Sequence, residues 1–212
     1  EQLSLYERDL KETAARTEPW RLWAARLSRV GLVGAVALAI AGYTMLFSPR
    51  IRRNPLRLAA VAGLLTGAAA VACIATAMQP SLAAITAVAP TVFIGVILAI
   101  AYDRRVALAY ASLHGIIVCA ALDLPVGWYA LLIAGVGAAI WQLKEIRDRD
   151  TFIRMGMLTA AVLAIGMMIV GMTDLPVDAR ALRQSAVDAG LAGFAGLLVG
   201  GVTLFILPTV ER

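Results

Sequence analysis

Seven apolar runs, each closed by a short polar break, constrain this chain more than any other feature. They cover residues 29–47, 56–78, 82–102, 105–122, 126–143, 152–172 and 186–207. A helix needs about 20 apolar residues to cross roughly 30 Å of hydrocarbon, and most of these runs have that length. Pro, Asp and Asn mark the breaks, as at Pro49, Asn54-Pro55, Gln79-Pro80, Asp103 and Asp123-Leu-Pro125; such residues end helices and make turns. Composition fixes the solvent. Apolar residues make up 61% and charged residues 16% of the 212, against about 45–50% and 25% in an ordinary soluble domain. A soluble fold of this size has nowhere to hide that surface. The expectation is an all-α, polytopic seven-transmembrane-helix bundle in contact with a lipid bilayer.

The basic residues give the bundle an orientation. Loop one carries Arg50, Arg52, Arg53 and Arg57; loop three carries Arg104 and Arg105; loop five carries Lys144, Arg147, Arg149 and Arg154. Loops two and four carry none, and loop six carries only Arg180 and Arg183. Short basic loops stay on the cytoplasmic side, so seven spans put the N-terminus outside and the C-terminus inside. A re-entrant hairpin of segments four and five is the alternative to two separate spans. It leaves loops three and five on one side and the charge argument intact. The net charge of +5 follows from this bias and gives no reason to expect a nucleic-acid partner.

Residues 1–28 differ from the rest. Leu3, Tyr6, Leu10, Ala14, Trp20, Trp23 and Leu27 recur at helical spacing among charges that nearly cancel. This pattern predicts an amphipathic stalk helix feeding the first span, with Trp20 and Trp23 at the interface. The division is therefore 1–28 as stalk and 29–212 as membrane domain. The chain opens on Glu1 and closes on Pro208-Thr-Val-Glu-Arg just after its last apolar run, so it reads as part of a longer protein. An extracellular domain is expected upstream and a cytoplasmic one downstream.

Chemistry-bearing residues are few inside the apolar runs. His114, the one histidine, sits in segment four, and Asp188 reads as lying in the first turn of segment seven. Ionisable groups at membrane depth are candidate functional sites; the plain alternative for His114 is a hydrogen bond between helices. Asp123 and Asp174 fall at outer ends, and Pro90 interrupts segment three. Cys73 and Cys119 lie in apolar runs without a CxxC or Cys/His partner and read as small packing residues. Gly63 and Gly67 in segment two, and Gly193, Gly196, Gly200 and Gly201 in segment seven, are read as helix-packing positions that exclude lipid. A homodimer or larger membrane complex is the other use for such faces. All four glycines of segment seven are expected against neighbouring helices, enclosed by at least two. One histidine cannot build a His-rich metal site, no P-loop or Gly-x-Ser-x-Gly is present, and no lysine lies within a span. Catalytic, cofactor-binding and metal-binding residues are accordingly expected to be absent from these 212 residues.

Three stretches carry a family resemblance. Gly193 to Glu211 is a Gly-rich apolar helix ending in Leu207-Pro208-Thr-Val-Glu211. Ala89 to Leu108 joins two spans through Tyr102-Asp103-Arg104-Arg105, and Ile146 to Gly156 is a basic entry to the sixth span. Together with the Gln2-Leu-Ser-Leu-Tyr-Glu stalk, they resemble the seven-transmembrane HD-domain receptors of bacteria, whose cytoplasmic HD domain hydrolyses cyclic di-AMP. The resemblance implies a sensing and signal-transmitting membrane region in a bacterial inner membrane. It also implies a parent protein that is a metal-dependent phosphodiesterase, with divalent metals in an HD domain beyond Arg212, and Pro208 at the coupling junction. Two other readings remain open: a membrane scaffold or accessory subunit, and a small-solute transporter or channel. The absence of an inverted repeat, of paired broken helices and of many intramembrane polar residues counts against the transporter.

Overall fold

A computed structural model describes residues 19–143, 149–173 and 179–210. The N-terminal part of the expected stalk, with Pro208's side chain, Lys144, Arg147 and Asp174, lies outside the described residues or side chains. The described chain is helical throughout, without strands among the described residues. Lipid offers backbone groups no hydrogen bonds, so a chain this apolar must satisfy them within each segment.

The helices are α1 (Pro19–Phe47), α2 (Pro49–Arg52), α3 (Pro55–Met78), α4 (Ala83–Ala101), α5 (Arg104–Leu122), α6 (Val126–Gln142), α7 (Arg149–Thr173) and α8 (Ala179–Val210). Their ends follow local chemistry. The Asn54 side chain accepts the Leu56 amide at 3.0 Å, and Pro55 opens α3 at a position where a missing N–H costs nothing. The Asp103 side chain accepts the Arg105 amide at 2.6 Å to start α5. Asp123 ends α5 with φ 57°, a left-handed conformation that Asp tolerates better than most residues.

Among the described residues, six helices are long and apolar enough to cross a membrane: Arg26–Phe47, Pro55–Met78, Pro80–Ala101, Arg104–Leu122, Asp150–Thr173 and Ala181–Phe205. The fifth apolar run forms a shorter helix, Val126–Gln142, of 17 residues. At 1.5 Å per residue it covers about 25 Å, so the structure supports six candidate spans where seven were expected. The basic first loop is also more ordered than its composition suggested. It folds into the single turn α2, pinned by Ile51, which is 1% exposed and joins the main apolar cluster.

The centre of the bundle is α4, with half of its span buried against protein. It packs on α3, α5, α6 and α8, while α6 packs on α7 and α1 on α5. The most extensive helix pair is α7 with α8.

Candidate functional site: a buried polar route

The first helix and the centre of the bundle are joined by two buried polar contacts, both carried by α5. Tyr110 and His114 are four residues apart, so they stand on one face of the helix. Both are essentially buried, beside Ala107, Ala111 and Val118 of the same face. The Tyr110 hydroxyl lies 2.5 Å from Thr44 Oγ1 of α1. Thr44 already donates to the Ile40 carbonyl at 2.7 Å, so the tyrosine is the donor between them. Tyr43 meets the edge of the Tyr110 ring, with centroids 5.7 Å apart.

One turn deeper, His114 Nδ1 lies 3.2 Å from Thr91 Oγ1 of α4. Thr91 donates its hydroxyl hydrogen back to the Ala87 carbonyl at 3.3 Å, so the ring nitrogen is the donor between them. His114 Nε2 is buried without a hydrogen-bond partner, although the Leu65 backbone of α3 lies beside the ring. His114 therefore sits at a three-helix junction with one ring nitrogen unused. Threonine within an apolar run carries no signal of its own; only the tertiary fold shows that Thr44 and Thr91 face α5.

The last two helices meet through glycines, with Thr159, Ser185 and Thr203 the buried polar side chains along them among the described residues. A Cβ at Gly196 would lie 2.6 Å from the Ala160 nitrogen, and one at Gly200 would lie 2.8 Å from the Gly156 Cα. Gly193 faces the Ala160 carbonyl and Ala164. Steps of about 100° per residue place these three glycines within a 60° stripe, and that stripe lies on α7 alone. Gly201 does not join it: nothing stands within 4 Å of its Cβ position. The expectation that all four glycines pack against helices, with neighbours on two sides, is corrected accordingly. The helix does have two neighbours, α7 and α4, but only one of them uses the glycines.

Gly63 and Gly67 are corrected as well. Neither has a neighbour within 4 Å of its Cβ position. They line an apolar groove of about 450 Å³ between α3, α4 and α8, with Pro90 and Leu198 opposite. Asp188 is not in the first turn of its helix, because α8 begins at Ala179; its carboxylate accepts the Gln184 side-chain amide at 3.1 Å and 3.2 Å. The polar linker before segment seven hid that early start. Cys73 and Cys119 are free and half-buried. Among the described residues, no group of three or more His, Cys, Asp or Glu stands together as a metal site.

A family model described as a 7TM receptor with an intracellular HD hydrolase matches residues 23–212. No curated protein and no solved structure matches the chain.

Proposed function

Since the chain belongs to the family of 7TM receptors with an intracellular HD hydrolase, we propose that it is the signal-transmitting membrane region of a cyclic di-AMP phosphodiesterase receptor. The observation that carries this reading is the continuous route α1–α5–α4–α8. It begins at an entry helix held to α5 through Thr44 and Tyr110. It passes from α5 to α4 through His114 and Thr91, and ends where α4 packs on the last helix. A stimulus that shifts α1 would reposition α5 and then the centre of the bundle. For this to act as a switch, two bundle arrangements must be biased differently from the two ends.

In this proposal α6 completes a seventh crossing. Its 17 residues are at the lower limit for a span, and a crossing there keeps the three most basic loops, one, three and five, on the cytoplasmic side of a bacterial inner membrane. An impermeant thiol reagent applied from outside should label Val177→Cys and leave Arg52→Cys untouched; the opposite pattern inverts the orientation. The residues of this chain would bind no catalytic metal, and any homodimer would form in the bilayer. Purified with Mn²⁺ and cyclic di-AMP, the 212-residue chain should give no turnover. Turnover that follows it through purification would overturn that assignment.

The direct test is cyclic di-AMP hydrolysis by the full receptor carrying Thr91→Val or Tyr110→Phe. Hydrolysis should shift while folding is retained. Unchanged hydrolysis in both variants would remove the support for the route. A stable stoichiometric complex lacking any HD chain would favour the scaffold instead.

A further inference from the structure

The basic end of the bundle holds a cavity of about 240 Å³ that the polar route does not use. Its wall includes Phe47, Ser48, Arg50 and Ile51 on one side and Tyr102 and Asp103 on the other. The wall is built by the fold, because buried Ile51 fixes the α2 turn against the bundle. Ser48 is 4% exposed, and its Oγ has no hydrogen-bond partner. It precedes α2 as the N-cap residue but makes no side-chain cap bond. A buried hydroxyl left unsatisfied is costly, so this one calls for an acceptor or donor supplied from the cavity.

Charge narrows the occupant. Arg52 donates to the Met45 carbonyl at 3.3 Å and Arg104 to the Leu143 carbonyl at 3.4 Å. Arg50 is the arginine on the cavity wall. Across from it, Asp103 uses Oδ1 to cap α5, which leaves Oδ2 for another partner. Depth narrows it further. One span ends at Phe47, another ends at Ala101, and a third begins at Arg104. The cavity therefore lies at the level of lipid headgroups.

We propose that this cavity binds the headgroup of a primary-amine phospholipid of the phosphoethanolamine type. The phosphodiester meets the Arg50 guanidinium and accepts the Ser48 hydroxyl hydrogen, and the ammonium donates to Asp103. A purely anionic headgroup would satisfy Arg50 but bring a second negative charge to Asp103. A trimethylammonium headgroup would reach the carboxylate without an N–H to donate. Basic pockets between membrane helices recruit headgroups by the same attraction, and here the carboxylate sets the selectivity.

The test is a lipid titration of the purified protein followed by native mass spectrometry, using phosphatidylethanolamine, phosphatidylcholine and phosphatidylglycerol with identical acyl chains. Phosphatidylethanolamine should be retained most tightly. Asp103→Asn keeps a good helix cap and should erase the preference over phosphatidylcholine, about tenfold for one lost charge-assisted bond. Arg50→Gln should weaken both lipids by a similar factor, and Ser48→Ala less. Free phosphoethanolamine should fail to displace the lipid. Equal or tighter retention of phosphatidylglycerol, a preference unchanged in Asp103→Asn, or displacement by free phosphoethanolamine would each overturn the proposal.

Discussion

The first and last helices of the bundle meet their neighbours in opposite ways. Only 11% of the first span is buried against protein, compared with 44% of the last. Helix α1 docks chiefly on α5, and its glycines Gly31, Gly34 and Gly42 have nothing within 4 Å of their Cβ positions. Helix α8 lies against α7 and α4, with three glycines in backbone contact with α7. In lipid, close packing rather than hydrophobicity holds helices together. A shift of α1 thus disrupts few contacts, whereas α8 must carry α7 with it. The proposed function takes the loosely held entry helix as input and the firmly paired exit helix as output.

The harshest way to break this comparison is to give both helices the same insult. Gly196→Leu puts a side chain into the Ala160 backbone and must separate α7 from α8. Overpacking of this kind costs about 1–3 kcal/mol or more. Gly200→Leu should behave likewise and cost more than Leu204→Ala. Gly34→Leu on α1 and Gly201→Leu on the open side of α8 should leave thermal stability in detergent nearly unchanged. If Gly34→Leu is as damaging as Gly196→Leu, α1 is not the loosely held helix.

A gentler change probes the polar link between the two regions. Tyr110→Phe keeps the ring against Tyr43 and removes the donor to Thr44. Hydrogen bonds between membrane helices average about 0.6 kcal/mol, with a maximum near 1.7 kcal/mol, so the melting temperature should fall only slightly. On the proposed function, cyclic di-AMP hydrolysis by a full receptor should respond more than stability does. A loss of stability with unaltered hydrolysis would make this contact a brace rather than a link.

How much of this was legible in the sequence depended on the physical scale of each feature. The helices and their breaks were visible because about 20 apolar residues bounded by Pro, Asn or Asp leave little choice of structure. The weakness of the fifth crossing showed only as a matter of length, because Val126–Gln142 is as apolar as its neighbours. Glycine type was legible, but its direction was not. Gly193, Gly196 and Gly200 differ from Gly63, Gly67 and Gly201 in what stands opposite, and tertiary packing decides that. His114 drew notice as an ionisable residue in an apolar run. Its partner Thr91 is an ordinary helix residue with no local signature, and Ser48 reads as one more polar loop residue until Ile51 folds the turn inward.

The smallest expected effect lies where α1 meets the α5–α6 turn. Arg29 Nη2 is 2.6 Å from Asp123 Oδ2, with the side chains 50% and 75% exposed. Here α1 touches the rest of the protein through a charged side chain, at the opposite end from Thr44. Exposed ion pairs contribute about 0.2–1 kcal/mol, because water competes for both charges and ordering two side chains costs entropy. Arg29→Gln should therefore scarcely move the melting temperature. Asp123→Asn is the suitable partner change, since Asn also tolerates the left-handed backbone that Asp123 adopts. A double-mutant cycle at low salt should give a coupling near the lower end of that range, shrinking as salt is raised. A coupling well above about 1 kcal/mol would mean that α1 is clamped at both ends. The contrast between a loose entry helix and a tight exit pair would then fail at the entry helix.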